Sequence, residues 1–262
     1  MDSKEKVQKG NRGAGKGRIS VVGIGPGGLA HLTAKASGTL ASAEVIVGYT
    51  RYVDLIKDMI AGKEVFTSGM TFEVERCAKA VEFAAAGARV AVVSSGDAGI
   101  YGMAGLVMQL AHKAGGPVLD IEVIPGVPAF VASAAILGAP LMHDFASVSL
   151  SDLLTPWTKI EERLTAAASA DFVICLYNPK SSKRTEGLAM AVDIISGFRP
   201  VSTPAGLVRN ATREGEEAHL TTLGGLAQYY ERIDMLSIII VGNSQTITEA
   251  GRMITPRGYQ GV

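Results

Sequence analysis

The chain has 262 residues, 47% of them hydrophobic and 19% charged, with 25 Lys/Arg against 25 Asp/Glu. That length and apolar fraction describe a globular protein with one large or two modest cores, and they exclude a disordered or fibrous chain. The charge is uneven: residues 1–18 carry six Lys/Arg against Asp2 and Glu5, so 1–17 reads as a flexible basic arm, and the slightly acidic remainder argues against a nucleic-acid substrate.

Within the arm, Gly10 to Gly17 falls one residue short of a phosphate loop. Gly17 stands where a magnesium-binding hydroxyl belongs, and the run precedes the first strand instead of following it. The periodic body begins at Ile19–Ile24, a short apolar strand, followed by a helix over Leu29–Ser42, a strand over Glu44–Gly48, a helix over Tyr52–Met59 and a strand over Glu64–Thr67. Helical spacing returns over Phe72–Ala86. A strand at Arg89–Val93, a helix at Gly102–Ala114, a strand at Ile121–Ile124 and a helix at Ala129–Leu137 follow. This alternation implies a mostly parallel sheet covered on both faces.

Gly138-Ala-Pro140 marks a boundary, after which the pattern restarts. Ser147–Leu150 reads as a strand, Pro156–Ala168 as a helix opened by Thr155-Pro156, Phe172–Tyr177 as a strand and Glu186–Ile195 as a helix. A strand near Ala205–Arg209, a short helix over Leu223–Tyr230 and the very apolar strand Ser237–Val241 complete it. The fold class expected is α/β: an N-terminal α/β domain over 18–140, a C-terminal one over 141–250 and a tail over 251–262, with a ligand cleft between the domains. Cys77 and Cys175 lie far apart without CxxC spacing, which excludes a cysteine-held cluster or zinc, and with four scattered histidines no resident metal is expected. No apolar run approaches the roughly 20 residues of a membrane span and no signal pattern opens the chain, so the expected compartment is the cytoplasm.

Three strand ends carry turn chemistry. Gly23-Ile-Gly25-Pro-Gly27-Gly28 follows the first strand, Ser94-Ser95-Gly96-Asp97-Ala98-Gly99-Ile100-Tyr101-Gly102 the fourth, and Pro125-Gly126-Val127-Pro128-Ala129 the fifth. Each reads locally as a tight turn or helix start; together they could converge on one sheet edge, where open α/β sheets bind ligands. The first matches G-x-G-x-x-G and raises a nicotinamide-dependent oxidoreductase as an alternative. Against it, the second strand ends at Gly48-Tyr49 without the acidic residue a ribose needs, and Pro26 removes an amide donor from the turn.

In this order and spacing the three loops resemble the tetrapyrrole methylase family of S-adenosylmethionine-dependent enzymes, over about residues 18–245. Gly48-Tyr49 with Tyr52, the Ser94–Met103 loop, His143-Asp144-Phe145, Ser149-Leu150-Ser151-Asp152, Thr155-Pro156-Trp157 and Tyr177-Asn178-Pro179 resemble its subgroup that methylates C17 of precorrin-3B, with ring contraction, in cobalamin synthesis. The resemblance implies S-adenosyl-L-methionine as cofactor, a precorrin substrate and a homodimer; the charge balance and the lack of a long apolar run argue against a nucleic-acid or membrane partner. It carries cofactor contacts to Pro26, Ser95, Gly96, Asp97, Ile100, Pro128, Ala129, Tyr177, Asn210, Ala211 and Thr212.

The acetate and propionate arms of such a macrocycle need cations, and Arg51, Lys180, Lys183, Arg184, Arg209 and Arg213 lie in or beside suitable loops. Ring contraction needs a proton donor or acceptor, for which Asp97 is the first candidate by its strand-end position, with His143, Asp144 and Asp152 behind it. A cobalt-loaded substrate in the same step is the close rival, and a tetrapyrrole carrier without turnover is the non-enzymatic one.

Overall fold

The structure is a computed structural model that describes residues 17–115 and 118–260. The expected basic arm, apart from Gly17, and most of the phosphate-loop-like run lie outside the described residues. The chain divides between Val127 and Pro128 into two compact units.

The first unit runs β1 (Arg18–Gly23), α1 (Ala34–Ser42), β2 (Val45–Tyr49), α2 (Thr50–Asp54), β3 (Glu64–Ser68), α3 (Glu73–Ala85), β4 (Arg89–Ser94), α4 (Ala104–Lys113) and β5 (Asp120–Ile124). Its five strands pair in the order β3-β2-β4-β1-β5, every pair parallel. Because side chains alternate along a strand, Ile19 and Val21 join Val45, Val47, Val90 and Val92 under α3 and α4, while Val22, Ile46, Ala91 and Val93 pack with α1 on the other face. Both faces are therefore covered, as the alternating pattern implies.

One expected element is split. The helix read from Leu29 begins only at Ala34, because Leu32 and Thr33 are extended and the Thr33 hydroxyl caps the helix by accepting from the Ala36 amide at 3.1 Å. Leu29–His31 forms a separate 3-10 turn. At the far end of α1, the Lys63 amine donates to the carbonyls of Ala41 and Ala43, 2.7 Å each, satisfying groups a helix end leaves open.

The second unit contains α5 (Ala129–Leu137), β6 (Gly138–Ala139), β7 (Phe145–Ser149), α6 (Trp157–Ser169), β8 (Val173–Tyr177), α7 (Gly187–Ser196), β9 (Pro204–Arg209), β10 (Glu217–Thr222), β11 (Ser237–Val241), β12 (Ile247–Glu249) and β13 (Arg252–Ile254). Its main sheet has the order β10-β9-β11-β8-β7, with only β7 and β8 paired in parallel. The β8-α7-β9 crossover skips one strand position, and the fully buried β11 fills it antiparallel to both neighbours. On one face α6 and α7 bury Ile160, Leu164, Leu188 and Ile195 against Ile174, Leu176, Leu207 and Ile239.

Three expectations differ here. The boundary expected after residue 140 falls earlier, because α5 is apolar almost all round and lies on β9 of the second sheet: a Cβ at Gly206 would meet Leu137 Cδ1 at 2.4 Å. The expected tail at 251–262 opens with a strand, since β13 pairs with β12 and β6 and buries Met253 completely. Finally, β10 forms an antiparallel edge strand beside β9 where no strand was expected. Among the described residues no helix is long and apolar enough to cross a membrane.

Candidate functional site

The three glycine loops follow β4, β1 and β5, which are immediate neighbours in the sheet, so they do meet at one edge. Their meeting is made of backbone. Gly25 and Gly96 exchange a pair of hydrogen bonds, Gly25 N to Gly96 O at 3.0 Å and Gly96 N to Gly25 O at 2.7 Å, and Ile24 N donates to Ser94 O at 2.9 Å. A Cβ at Gly126 would stand 2.2 Å from Gly96 O and 2.7 Å from the Gly23 carbonyl group. A Cβ at Gly23 would stand 2.7 Å from Gly126 N and 2.8 Å from Gly96 O. Hydrogen is the only side chain that fits either position.

Asp97 is half-buried in this junction. Its Oδ1 accepts from the Gly99 amide at 2.8 Å and its Oδ2 from the Gly126 amide at 3.0 Å. Both oxygens of the carboxyl nominated as proton donor or acceptor thus accept from backbone amides. Pro26 and Gly96 are buried and Ser95 is half-buried, whereas Ile100 and Tyr101 are exposed, Tyr101 with a left-handed φ of 52°. None of the loop residues 23–32, 94–103 and 125–129 is Lys or Arg. Beside β4 in the sheet, β2 ends at Tyr49, whose ring meets that of Tyr52 edge to face, and Arg51 in the short helix that follows is exposed.

These facts weigh against a dinucleotide site. The Gly25 and Gly96 amides face each other's carbonyls, α1 opens well past the loop, and β4 separates β1 from β2, whereas the dinucleotide fold places those two strands side by side. A loop set with one carboxylate and no cation suits a ligand that bears no phosphate and is, if charged, positive.

In the second unit, β7, β8 and β9 end at one edge of the sheet. Here the Tyr177 hydroxyl accepts from the Phe130 amide in the first turn of α5 at 3.3 Å, which brings Tyr177 beside Pro128 and Ala129. Asn178 Nδ2 donates to Ser149 Oγ at 2.9 Å. After β9, Asn210 and Thr212 have left-handed φ of 52° and 63°, and the turn is closed by Arg213 N to Asn210 O at 2.8 Å and Thr212 N to Glu216 Oε2 at 2.7 Å, with Ala211 buried. Left-handed non-glycine residues at Asn178, Asn210 and Thr212 store backbone strain of a kind that gathers at binding sites.

Several nominated cations there already hold protein groups. Arg209 ion-pairs with Asp234 at 2.9 Å and Glu217 at 3.4 Å, and these carboxylates raise its already high pKa further. Arg184 donates to Leu150 O and lies 3.9 Å from Asp152, while Lys180 donates to Tyr230 O at 2.6 Å. Arg213 is half-buried in its turn. His143 and Asp144 are exposed at the opposite, amino end of β7. Sequence reasoning missed Asp234, whose signal was local: its side chain accepts from the Leu236 amide in a turn just before β11. Among the described residues no group of three or more His, Cys, Asp or Glu is placed to hold a metal ion.

Residues 18–227 match the family model of the Tetrapyrrole (Corrin/Porphyrin) Methylases. This chain belongs to the tetrapyrrole methylases. A relative from Salmonella typhimurium, described as a probable cobalt-factor III C(17)-methyltransferase, is 53% identical over 92% of this chain and 99% of its own length. The cobalt-factor III methyltransferase of Priestia megaterium is 46% identical over 94% of this chain, which spans 46% of that longer protein. Among solved structures, the methyltransferase CobJ superposes with a TM-score of 0.84 at 34% identity, covering 92% of this chain and all of that one. The methylase fold is the mixed α/β architecture with a parallel sheet described above, and tetrapyrrole methylases use S-adenosylmethionine as methyl donor.

Proposed function

We propose that the protein transfers a methyl group from S-adenosylmethionine to C17 of a tetrapyrrole intermediate of cobalamin synthesis, with contraction of the macrocycle. The observation that carries this reading is the junction of three cation-free loops at adjacent strand ends, in a chain 53% identical along nearly its full length to a cobalt-factor III C(17)-methyltransferase. The same relatives favour a cobalt-containing macrocycle over metal-free precorrin-3B, because the two named above are both described as cobalt-factor III enzymes.

S-adenosylmethionine, when bound, supplies a methyl group on a sulfonium centre, which a nucleophilic carbon takes by in-line displacement. It fits the first unit's loops by the chemistry of their donors: it is a cation without phosphate, and those loops offer backbone and one carboxylate but no Lys or Arg. Positioning is the main task for such a step. We assign cofactor contacts to Pro26, Ser95, Gly96, the backbone of Asp97 and Ile100 in the first unit, and to Pro128, Ala129, Tyr177 and Asn210 to Thr212 in the second.

For the macrocycle's carboxylates we assign Arg51 and Lys183, the nominated cations that are exposed and in no ion pair among the described residues; Arg51 follows β2, beside the strand that carries the Asp97 loop. Arg213 joins them, with Lys180, Arg184 and Arg209 shaping the second unit's edge. A homodimer in the cytoplasm completes the proposal.

Calorimetry and a methyl-transfer assay test it together. S-adenosylhomocysteine is expected to bind and NADH is not; cobalt-factor III incubated with S-adenosylmethionine gains the mass of one methyl. Binding of NADH alone would overturn the reading, transfer to precorrin-3B alone would move the substrate to the metal-free form, and S-adenosylhomocysteine binding without transfer to either would favour a carrier.

A further inference from the structure

Asp97 contributes the one carboxylate of the three loops, and its placement goes beyond a local turn. The Gly99 contact is local, two residues along the chain, but the Gly126 contact joins the loop after β4 to the loop after β5. Those strands are not neighbours. β1 lies between them, so the carboxylate reaches over the end of β1, a span of about two strand spacings, or roughly 10 Å between strand axes. Gly23 terminates β1 beneath this bridge, and a Cβ there would run into Gly126 N, Gly96 O and Ala98 N at 2.7, 2.8 and 3.1 Å. The bridge and the glycines are therefore one device: the bare glycines let three backbones approach, and the carboxylate joins the outer two.

We infer that Asp97 is a positioning residue, a clamp that fixes the loop after β5 to the loop after β4 and thereby holds the backbone that grips the methyl donor. This rests on the S-adenosylmethionine reading and deepens it. The chemistry asks for a carboxylate. Two amide donors need two acceptor oxygens on one short side chain, and asparagine offers one oxygen and one NH2, so one glycine amide would face a donor. The ionised carboxylate also makes both bonds charge-assisted. A proton donor or acceptor for ring contraction would need an oxygen directed at the macrocycle instead of at Gly99 and Gly126.

Asp97→Asn separates the two roles. The clamp predicts S-adenosylhomocysteine binding weaker by roughly ten- to hundredfold, the loss of about one charged hydrogen bond. KM for S-adenosylmethionine rises more than kcat falls, the pH profile of kcat keeps the limbs of the unsubstituted protein, and amide exchange at Gly99 and Gly126 accelerates. Unchanged S-adenosylhomocysteine affinity, or a collapse of kcat with one limb of the pH profile lost and KM unchanged, would overturn the inference. If the variant does not fold, exchange in the unsubstituted protein decides: the Gly99 and Gly126 amides are expected to be protected, and rapid exchange at both sinks the clamp. Failure of the unsubstituted protein to bind S-adenosylhomocysteine would instead break the functional reading on which the clamp rests.

Discussion

The carboxyl edge of the first sheet is held largely by backbone, with Gly25 and Gly96 bonded to each other, Gly126 seated against Gly96, and the Asp97 side chain bridging Gly99 and Gly126. At the corresponding edge of the second sheet, side chains hold the turns: Arg209 between Asp234 and Glu217, Arg184 against Leu150 O, and Asn178 on Ser149. The first arrangement tolerates almost no added atom and presents little charge. The second presents strong charges, most of them already matched. A rigid edge with one carboxylate and no Lys or Arg suits one small invariant ligand, whereas an edge of long charged side chains can be retuned without rebuilding the fold. The two edges should therefore respond to mutation in different ways.

The sharpest way to break that contrast is Gly126→Ala. Its methyl has no rotamer by which to avoid the Gly96 carbonyl 2.2 Å away, so the expected cost is about 3 kcal/mol, or roughly a hundredfold in S-adenosylhomocysteine affinity. Calorimetry with circular dichroism as a fold control reads this directly, and near-normal binding would show that the backbone junction is looser than described.

A middle-sized effect separates the cations. Arg209→Ala strands Asp234 and Glu217 at a partly exposed site and should cost about 1 kcal/mol in thermal melts while leaving the macrocycle KM within about threefold. Arg51→Ala should do the reverse, with an unchanged melt and a macrocycle KM raised several-fold; the opposite pair of results would return Arg209 to direct substrate binding.

The smallest effect tests whether the two cores are alike where the edges are not. Burial pushes both Cys77 in α3 and Cys175 in β8 up to about 12 from an ordinary 9.0. The thiolate is the reactive form, so neither thiol should react with an alkylating reagent at mildly alkaline pH until the chain is denatured. Between those two values the unfolded chain releases these protons first, so stability should decline as pH rises above about 9. Early labelling of one cysteine would show that its unit opens independently.

Much of the first unit was legible because its signals are local. Alternating strands and helices, and glycines at three strand ends, announce a covered parallel sheet with close backbone approaches. The adjacency of β4, β1 and β5 and the partner of Asp97, 29 residues away, are matters of topology that no local pattern encodes. The second unit was less legible for physical reasons. The edge strand β10, Glu-Ala-His-Leu-Thr-Thr, is half-exposed and carries little apolar contrast. The insertion of β11 between β9 and β8 depends on which gap a crossover leaves. The apolar helix α5 shows no side reserved for one sheet in its sequence; its packing on β9, β10 and β11 decides.

The contact of α5 with Gly206 has a reach of its own. Helix α5 is nine residues long, about 13 Å, with Leu137 pressed on Gly206 at one end and the Phe130 amide held by the Tyr177 hydroxyl near the other. The bare glycine in the middle of β9 is what lets Leu137 come this close. A side chain at 206 would collide with Leu137 and displace the helix that carries the Phe130 amide, so a substitution deep in the interior, touching no ligand, is expected to register as weaker ligand binding.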